Sequence, residues 1–326
     1  MREVLASSAR RLLTAPAGLG YAVFGATAVA YLVVYTTNLG HPPTTFDYLS
    51  ILNTTLPLVF VAIGQSLVVI TGGIDLSVGG IVAFCVAVTA TTATGTGPAP
   101  FAWLLVVLAI GATGGTLNGV IVARARVAPI LATLATLSIF SGLALWVLPV
   151  PGGAIARPVR LLLTNPTVPT GLIWLGLAVA GWYVLRRTRF GLRVYAIGSD
   201  EASAIAVGVP APRVKIGVYA LSGLFSALAA VFYVSTTTAG DANAGAPFIL
   251  TSIASVVVGG VSFSGGRGSA LGAMAGAVAL TLVIDVIFFA GIEPLYQSLF
   301  QGLFLVVAVL LGTGAALVAR VRKESS

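Results

Sequence analysis

Two acidic side chains stand out because almost nothing around them is charged. Asp75 follows the Gly72-Gly73 pair at the end of one long apolar run, and Asp285 lies inside another. A charge is costly in hydrocarbon, so an ionisable group within a membrane span points by default to function. Two roles are open for Asp285: lining a pore or subunit interface, or hydrogen bonding among packed helices. Asn53, Gln65, Thr71 and Asn118 are further polar groups in or beside apolar runs. They could bind the hydroxyls of a passing solute, or simply join helices. With so few fixed charges, this set suits a neutral polar solute better than a proton relay or an ion-coupled carrier.

Covalent and metal chemistry find little support. His41 is the only histidine and sits in a proline-flanked loop, and Cys85 is the only cysteine. Within this sequence an intramolecular disulfide and a Cys/His metal site are therefore excluded. There is no H-E-x-x-H and no G-x-S-x-G nucleophile elbow. The only lysines, Lys215 and Lys323, stand outside any G-x-x-x-x-G-K-[ST] loop. The chain cannot hydrolyse ATP through that motif by itself. A membrane-embedded enzyme would lack a nucleophile or a metal set, and redox cofactors are not indicated.

The elements that must position these residues follow from composition. Hydrophobic residues make up 58% of the 326-residue chain and charged residues 8%, against about 25% charged in soluble domains. Charge-free stretches such as Leu12–Phe46, Leu76–Ala123, Val127–Ala156 and Leu295–Ala319 are long enough for spans of roughly 20 residues. We place ten helical spans: Gly18–Tyr35, Ser50–Ile70, Ser77–Ala93, Phe101–Ala123, Ala128–Leu148, Gly171–Leu185, Ile216–Thr237, Phe248–Gly260, Ser269–Ala290 and Leu295–Leu317. The reading is all-α, one polytopic membrane domain over residues 1–326. Arg2, Arg10 and Arg11 precede the first span as they would in a signal sequence, but no convincing small-residue cleavage site follows at the right distance. The first helix is expected to be retained.

Charge sets the expected topology. With both termini in the cytoplasm, every basic residue except Arg157 and Arg160 falls on the inner side, as the positive-inside rule asks. The net charge of +8 then reads as cytoplasmic anchoring and not as a nucleic-acid surface. Gly111, Gly114, Gly115 and Gly119, and the Gly272/Gly276 pair, have the spacing that lets helices approach closely in lipid. Gly72–Ser77 and Gly259–Ser264 echo one another. That is either a relic of duplication or two turns needing the same glycines.

The longest charged loop, residues 186–215, contains Ser199-Asp200-Glu201-Ala202-Ser203 followed by Gly208 and Pro210. Ser199 or Asp200 can cap a short helix, and Glu201 complements its positive end. Gly208 suits the position just past its C-terminus. Such a knob could dock in a groove of a soluble partner, or be an ordinary surface helix.

These motifs carry a resemblance. Leu67–Gly79, with Gly72-Gly73-Ile74-Asp75-Leu76-Ser77 at its centre, resembles the signature of ABC importer permeases for ribose, xylose, galactose and related monosaccharides, a family related to branched-chain amino-acid permeases. Gly198–Val209 resembles that family's cytoplasmic coupling helix, preceded by a matching Thr188-Arg189-Phe190-Gly191, and Gly259–Gly268 resembles its later glycine-rich turn. The likeness runs from about Thr44 to Leu317. Departures are Asp200 and Ser203 where Asn and Ala are usual, Ser141 for Arg, Gln301 for Lys, and Asp285 for Asn.

The resemblance implies a type II ABC-importer-like permease fold in the bacterial cytoplasmic membrane, surrounded by lipid. It implies a second permease chain, identical or different, and an extracytoplasmic sugar-binding protein. It also implies a cytoplasmic ATP-binding subunit that carries the ATP and Mg²⁺, with no cofactor on this chain and no nucleic-acid partner. Residues 200–208 would be the coupling helix, with Gly198, Ser199, Asp200, Glu201, Ala202, Ser203 and Gly208 forming the ATPase-coupling loop. Nucleoside or branched-chain amino-acid import shares the architecture, and an ion-coupled carrier acting alone is the contrasting class.

Overall fold

The computed structural model describes residues 18–293 together with positions 296, 299, 300, 302, 303 and 306. The expected last span, Leu295–Leu317, falls outside the continuously described residues, as do Arg2, Arg10, Arg11, Arg320, Arg322 and Lys323.

Twelve helices occupy the described residues. They are α1 (Gly18–Leu39), α2 (Thr45–Ile70), α3 (Ser77–Thr92), α4 (Ala99–Ala123), α5 (Pro129–Val147), α6 (Arg157–Leu163), α7 (Thr170–Arg187), α8 (Arg189–Ser199), α9 (Glu201–Ala206), α10 (Ala211–Thr237), α11 (Ala246–Val258) and α12 (Ala270–Phe289). Each of the first nine expected spans has its helix. Six helices, α1, α2, α4, α5, α10 and α12, are long and apolar enough to cross a membrane. At 16 and 13 residues, α3 and α11 reach only about 24 and 20 Å at 1.5 Å per residue, short of a ~30 Å hydrocarbon core. Short helices are acceptable where protein surrounds them, and most of α3 and half of α11 are buried. The protein is an all-helical, polytopic membrane protein.

Local chemistry explains where the helices begin. The second helix starts at Thr45, before the expected Ser50, because Thr44 and Asp47 form a reciprocal capping box that satisfies two free backbone donors. Prolines in the first turn open α4, α5, α6, α10 and α11, where the missing N–H costs nothing. Two helices were not expected from sequence. The short α6 follows a proline start in the Arg157–Arg160 loop, and α8 is amphipathic, with Gly191, Val194 and Ile197 buried.

The centre of the bundle is α2, almost wholly buried from Leu56 to Ile70. It packs against α10 and α12, and α10 packs most extensively against α4. The glycine stripe makes that last contact possible. A Cβ at Gly115 would overlap the Tyr219 carbonyl, and one at Gly119 would lie 2.6 Å from the Cα of Ile216. Gly114 instead faces Phe140 of α5, 2.7 Å from a built Cβ. Gly272 and Gly276 meet Gly259, the C-cap of α11, and Ser255 within it in the same manner. These small residues serve backbone approach, the usual means of helix association in lipid.

Candidate functional site

Where α2 ends, the chain turns through Thr71–Leu76 and enters α3. The Asp75 carboxylate is completely buried in this turn. Its Oδ1 accepts from the Ser77 N–H (3.0 Å) and from the Ser77 hydroxyl (2.5 Å), and its Oδ2 accepts from the Ser222 hydroxyl of α10 (2.8 Å). The Ser77 Oγ in turn accepts from the Asn118 amide of α4 (2.7 Å), and Asn118 Oδ1 accepts from the Thr136 hydroxyl of α5 (2.7 Å). The Leu76 N–H donates to Thr133 Oγ1, 3.1 Å away. One chain of hydrogen bonds therefore ties the turn to α3, α4, α5 and α10. Among the described residues the only ion pair is Lys215–Glu201, so Asp75 is stabilised by donors and not by a cation. Buried polar groups linked in this way specify a unique packing.

The expected pathway residues are dispersed. Asp75 and Asn118 share the network. Thr71 ends α2, half-buried, its hydroxyl donating to the Val68 carbonyl at 2.8 Å. Asn53 lies two to three turns into α2 and donates to the Asn165 carbonyl (3.3 Å). Gln65 is fully buried mid-helix, and neither polar atom of its amide has a hydrogen-bond partner among the described residues. Asp285, far from Asp75 in the sequence, is half-buried on α12, with Oδ2 unpartnered among the described residues. The residues that sequence reasoning missed are Ser222, Thr133 and Thr136. A serine on a long apolar helix carries no local signal, whereas the i, i+3 threonine pair on α5 marks one helix face.

A second feature lies at the same end of α2. Three separate motifs meet there through their backbones. The Gly266 N–H donates to the Ile70 carbonyl (2.9 Å). A Cβ on Gly198 would overlap that carbonyl and lie 2.5 Å from the Gly266 nitrogen, and one on Gly266 would lie 2.5 Å from Ser199 Oγ. Gly266 itself has φ +67°, a conformation that other residues adopt only with strain. The Tyr195 hydroxyl of α8 donates to the Gly268 carbonyl (2.8 Å). Burial raises the Tyr195 pKa, which keeps the phenol a donor.

The α9 helix projects from this junction. Asp200 is its N-cap, accepting from the Ser203 N–H (3.1 Å) and the Ser203 hydroxyl (2.8 Å). Those donations, the hydroxyl first, hold its carboxyl below the ordinary carboxylate range. The helix spans Glu201–Ala206, and Gly208 follows at φ +86°, as the left-handed position past a C-terminus requires. Glu201 pairs with Lys215 at the start of α10 (2.7 Å). Ala202, Ser203 and Ile205 are exposed, and Val207 is 81% exposed, so the tip is small and apolar.

No solved structure matches the chain. The ribose import permease protein RbsC of Bacillus subtilis (strain 168) is 35% identical over 263 residues, 77% of this chain and 80% of that protein. RbsC of Escherichia coli (strain K12) is 33% identical over 275 residues, 80% and 84% of the two chains. The fructose import permease protein FruG of Bifidobacterium longum (strain NCC 2705) is 32% identical over 268 residues, 78% of each. Residues 48–309 match the family described as "Branched-chain amino acid transport system / permease component", and the chain belongs to that permease family.

Proposed function

We infer that this chain is the membrane-spanning permease subunit of an ABC importer for a monosaccharide, with ATP hydrolysis on a separate cytoplasmic subunit. The observation that carries the reading is the backbone junction joining Ile70, Gly198 and Gly266. It connects an exposed, apolar-tipped α9 directly to the end of the central helix and to the α11–α12 turn. A push on α9 by a nucleotide-driven partner would therefore move α2 without an intervening flexible linker.

The sugar assignment draws on the relatives, whose names specify ribose and fructose import, and on the scarcity of fixed charge inside the spans. The full reading has ten spans in a type II importer arrangement and both termini cytoplasmic, with all basic residues except Arg157 and Arg160 on the inner side. A second permease chain completes the pathway, and an extracytoplasmic binding protein delivers the sugar. Asn53, Gln65, Thr71, Asp75, Asn118 and Asp285 are its candidate pathway residues.

The test is reconstitution of the importer in proteoliposomes, with ATP inside and labelled sugar on its binding protein outside. ATP-dependent uptake of a pentose or hexose supports the reading. Uptake competed by nucleosides or branched-chain amino acids moves the substrate class, and uptake by this chain alone without ATP refutes the assembly.

A further inference from the structure

Near the ends of α2 and α10 that carry Ser50 and Ser235, a small pocket of about 130 Å³ opens beside α6. Its polar walls are Ser50, Asn53 and Thr54 from α2, Arg160 and Thr164 from α6 and its cap, and Ser235 from α10. Two larger pockets on the bundle are lined almost entirely by apolar side chains. Here hydroxyls, an amide and a guanidinium converge instead.

Two observations point to a ligand. Ser235 is buried, and its hydroxyl has no hydrogen-bond partner among the described residues. Yet the backbone around it is fixed: the Thr164 hydroxyl donates to the Ser235 carbonyl (3.1 Å). Native proteins leave few buried hydroxyls unpaired, and each one calls for a partner such as water or a bound group. Arg160, in turn, forms no ion pair among the described residues, and on the proposed topology it is one of two basic residues on the outer side. A guanidinium presents donors in a planar fork, which fits two adjacent hydroxyl oxygens on a ring.

We propose that this pocket is a transient subsite on the outer side of the permease, taking adjacent hydroxyls of the sugar as it leaves the binding protein. The proposal rests on the sugar-import reading. Arg160 donates to two neighbouring ring hydroxyls, and the Ser235 hydroxyl, enclosed in the pocket wall, rotates to meet a third group as the sugar enters. Asn53 is held in place by the Asn165 carbonyl and by Gly171, whose built Cβ lies 2.7 Å from Asn53 Oδ1. The site is small and open, so it holds one edge of a sugar and lets it go, as a transport route requires.

The test uses the complete importer in lipid nanodiscs and proteoliposomes, with Arg160→Gln, Arg160→Lys and Ser235→Ala. Saturation-transfer NMR with D-ribose, D-xylose, D-fructose and D-galactose, on nanodiscs from which the binding protein is left out, reads sugar contact with the permease directly. ATP-driven uptake and the affinity of the binding protein are measured on the same preparations. The expected result is a saturation-transfer signal from one of these sugars that all three variants lose. Uptake then falls about tenfold in Arg160→Gln, as for loss of a hydrogen bond to a charged group, and binding-protein affinity stays unchanged. Arg160→Lys keeps the charge without the fork and is expected to lose uptake too. It also serves as the comparison if Arg160→Gln does not reach the membrane.

Wild-type uptake of sugar with all variants unaffected overturns the subsite alone. A drop in binding-protein affinity that matches the drop in uptake, and is restored by Arg160→Lys, makes Arg160 a protein-docking contact and also overturns it. Wild-type protein that transports none of the four sugars overturns the import reading, and the subsite with it.

Discussion

Replacing Asp75 by Ala and by Asn separates what its hydrogen bonds do from what its charge does. Three donors converge on the carboxylate: the Ser77 N–H, the Ser77 hydroxyl and the Ser222 hydroxyl, at 2.5–3.0 Å. Alanine leaves all three without that acceptor in a fully buried site. At about 1–3 kcal/mol per orphaned group, with some rescue as the hydroxyls rotate, the loss is roughly 2–6 kcal/mol. Removing a buried carboxylate also relieves its own desolvation, which acts in the opposite direction. Asparagine isolates the two effects. It removes the charge, keeps an oxygen for Ser77, and turns its NH₂ toward a serine hydroxyl that can accept as well as donate. The difference between the Ala and Asn variants therefore reads the bonds, together with the cavity that Ala leaves, free of the charge. On the order of 2 °C per kcal/mol for a chain of this size, Ala should unfold about 4–12 °C below Asn. Cys85 is the only cysteine in the sequence and is buried, so a thiol-reactive fluorescent maleimide reports unfolding in detergent without further labelling. Equal midpoints for the two variants would refute the structural role of the network. Asn at wild-type stability but without uptake would place the charge in transport itself.

Four further outcomes follow from the same geometry. Gly198→Val drives a side chain into the Ile70 carbonyl and the Gly266 nitrogen; ATP-dependent uptake should fall at least tenfold while α9 still binds the ATPase subunit, measured by pull-down. Gly208→Pro imposes φ near −65° where the backbone has φ +86°, so uptake should be abolished with membrane insertion intact by surface labelling. Val207→Asp puts a charge on the exposed apolar tip and should weaken ATPase co-purification without lowering the thermal midpoint. The Asp200 pKa is lowered in the folded state, so its capping contribution is complete above the ordinary carboxylate range and is lost only as pH falls through the lowered value. Coupled ATPase activity should thus show no Asp200-dependent change at or above about pH 5, and a wild-type-specific loss centred at pH 6–7 would contradict it.

Much of the fold was legible because its determinants are local. Charge-free runs located the first nine expected spans, which became α1–α5, α7 and α10–α12, and the Asp200, Gly208 and Pro210 series fixed α9 to within two residues of the expected 200–208. Where the sequence misled, a charge had been taken as a boundary. Asp47 lies inside α2 because it caps that helix, and Arg189 and Arg193 lie inside α8 because only one face of it is buried. The site was legible only in part. Asp75 and Asn118 could be singled out as polar groups in apolar surroundings, but their link through Ser77 joins residues 41 apart in sequence, and Ser222 is 147 residues from Asp75. Such pairings depend on which helix faces which, and hydropathy cannot encode that. The glycine stripe of α4 carried half of the answer: it announced a close neighbour without naming α10.

The convergence of the three glycine motifs gives them a common physical cause. Each is placed where a backbone meets another backbone, at Ile70, Gly198 and Gly266, and contacts of this kind leave no room for a side chain to yield. A junction built from flexible side chains would absorb a displacement of α9 by rotamer changes; one built from opposed main chains passes it on, because packed backbones are close to incompressible. The echo between Gly72–Ser77 and Gly259–Ser264 fits the same demand, since both segments turn the chain sharply after a helix, with Gly72 and Gly260 at φ +81° and +77°. Both turns flank this junction, and one of them carries Asp75 into the hydrogen-bond network that fixes α3, α4, α5 and α10. On the proposed coupling role of α9, a displacement entering there would reach the Asp75 network through two stiff links, the Ile70 carbonyl and the Asp75 turn. Weakening either link should uncouple ATP hydrolysis from uptake while leaving assembly with the ATPase intact.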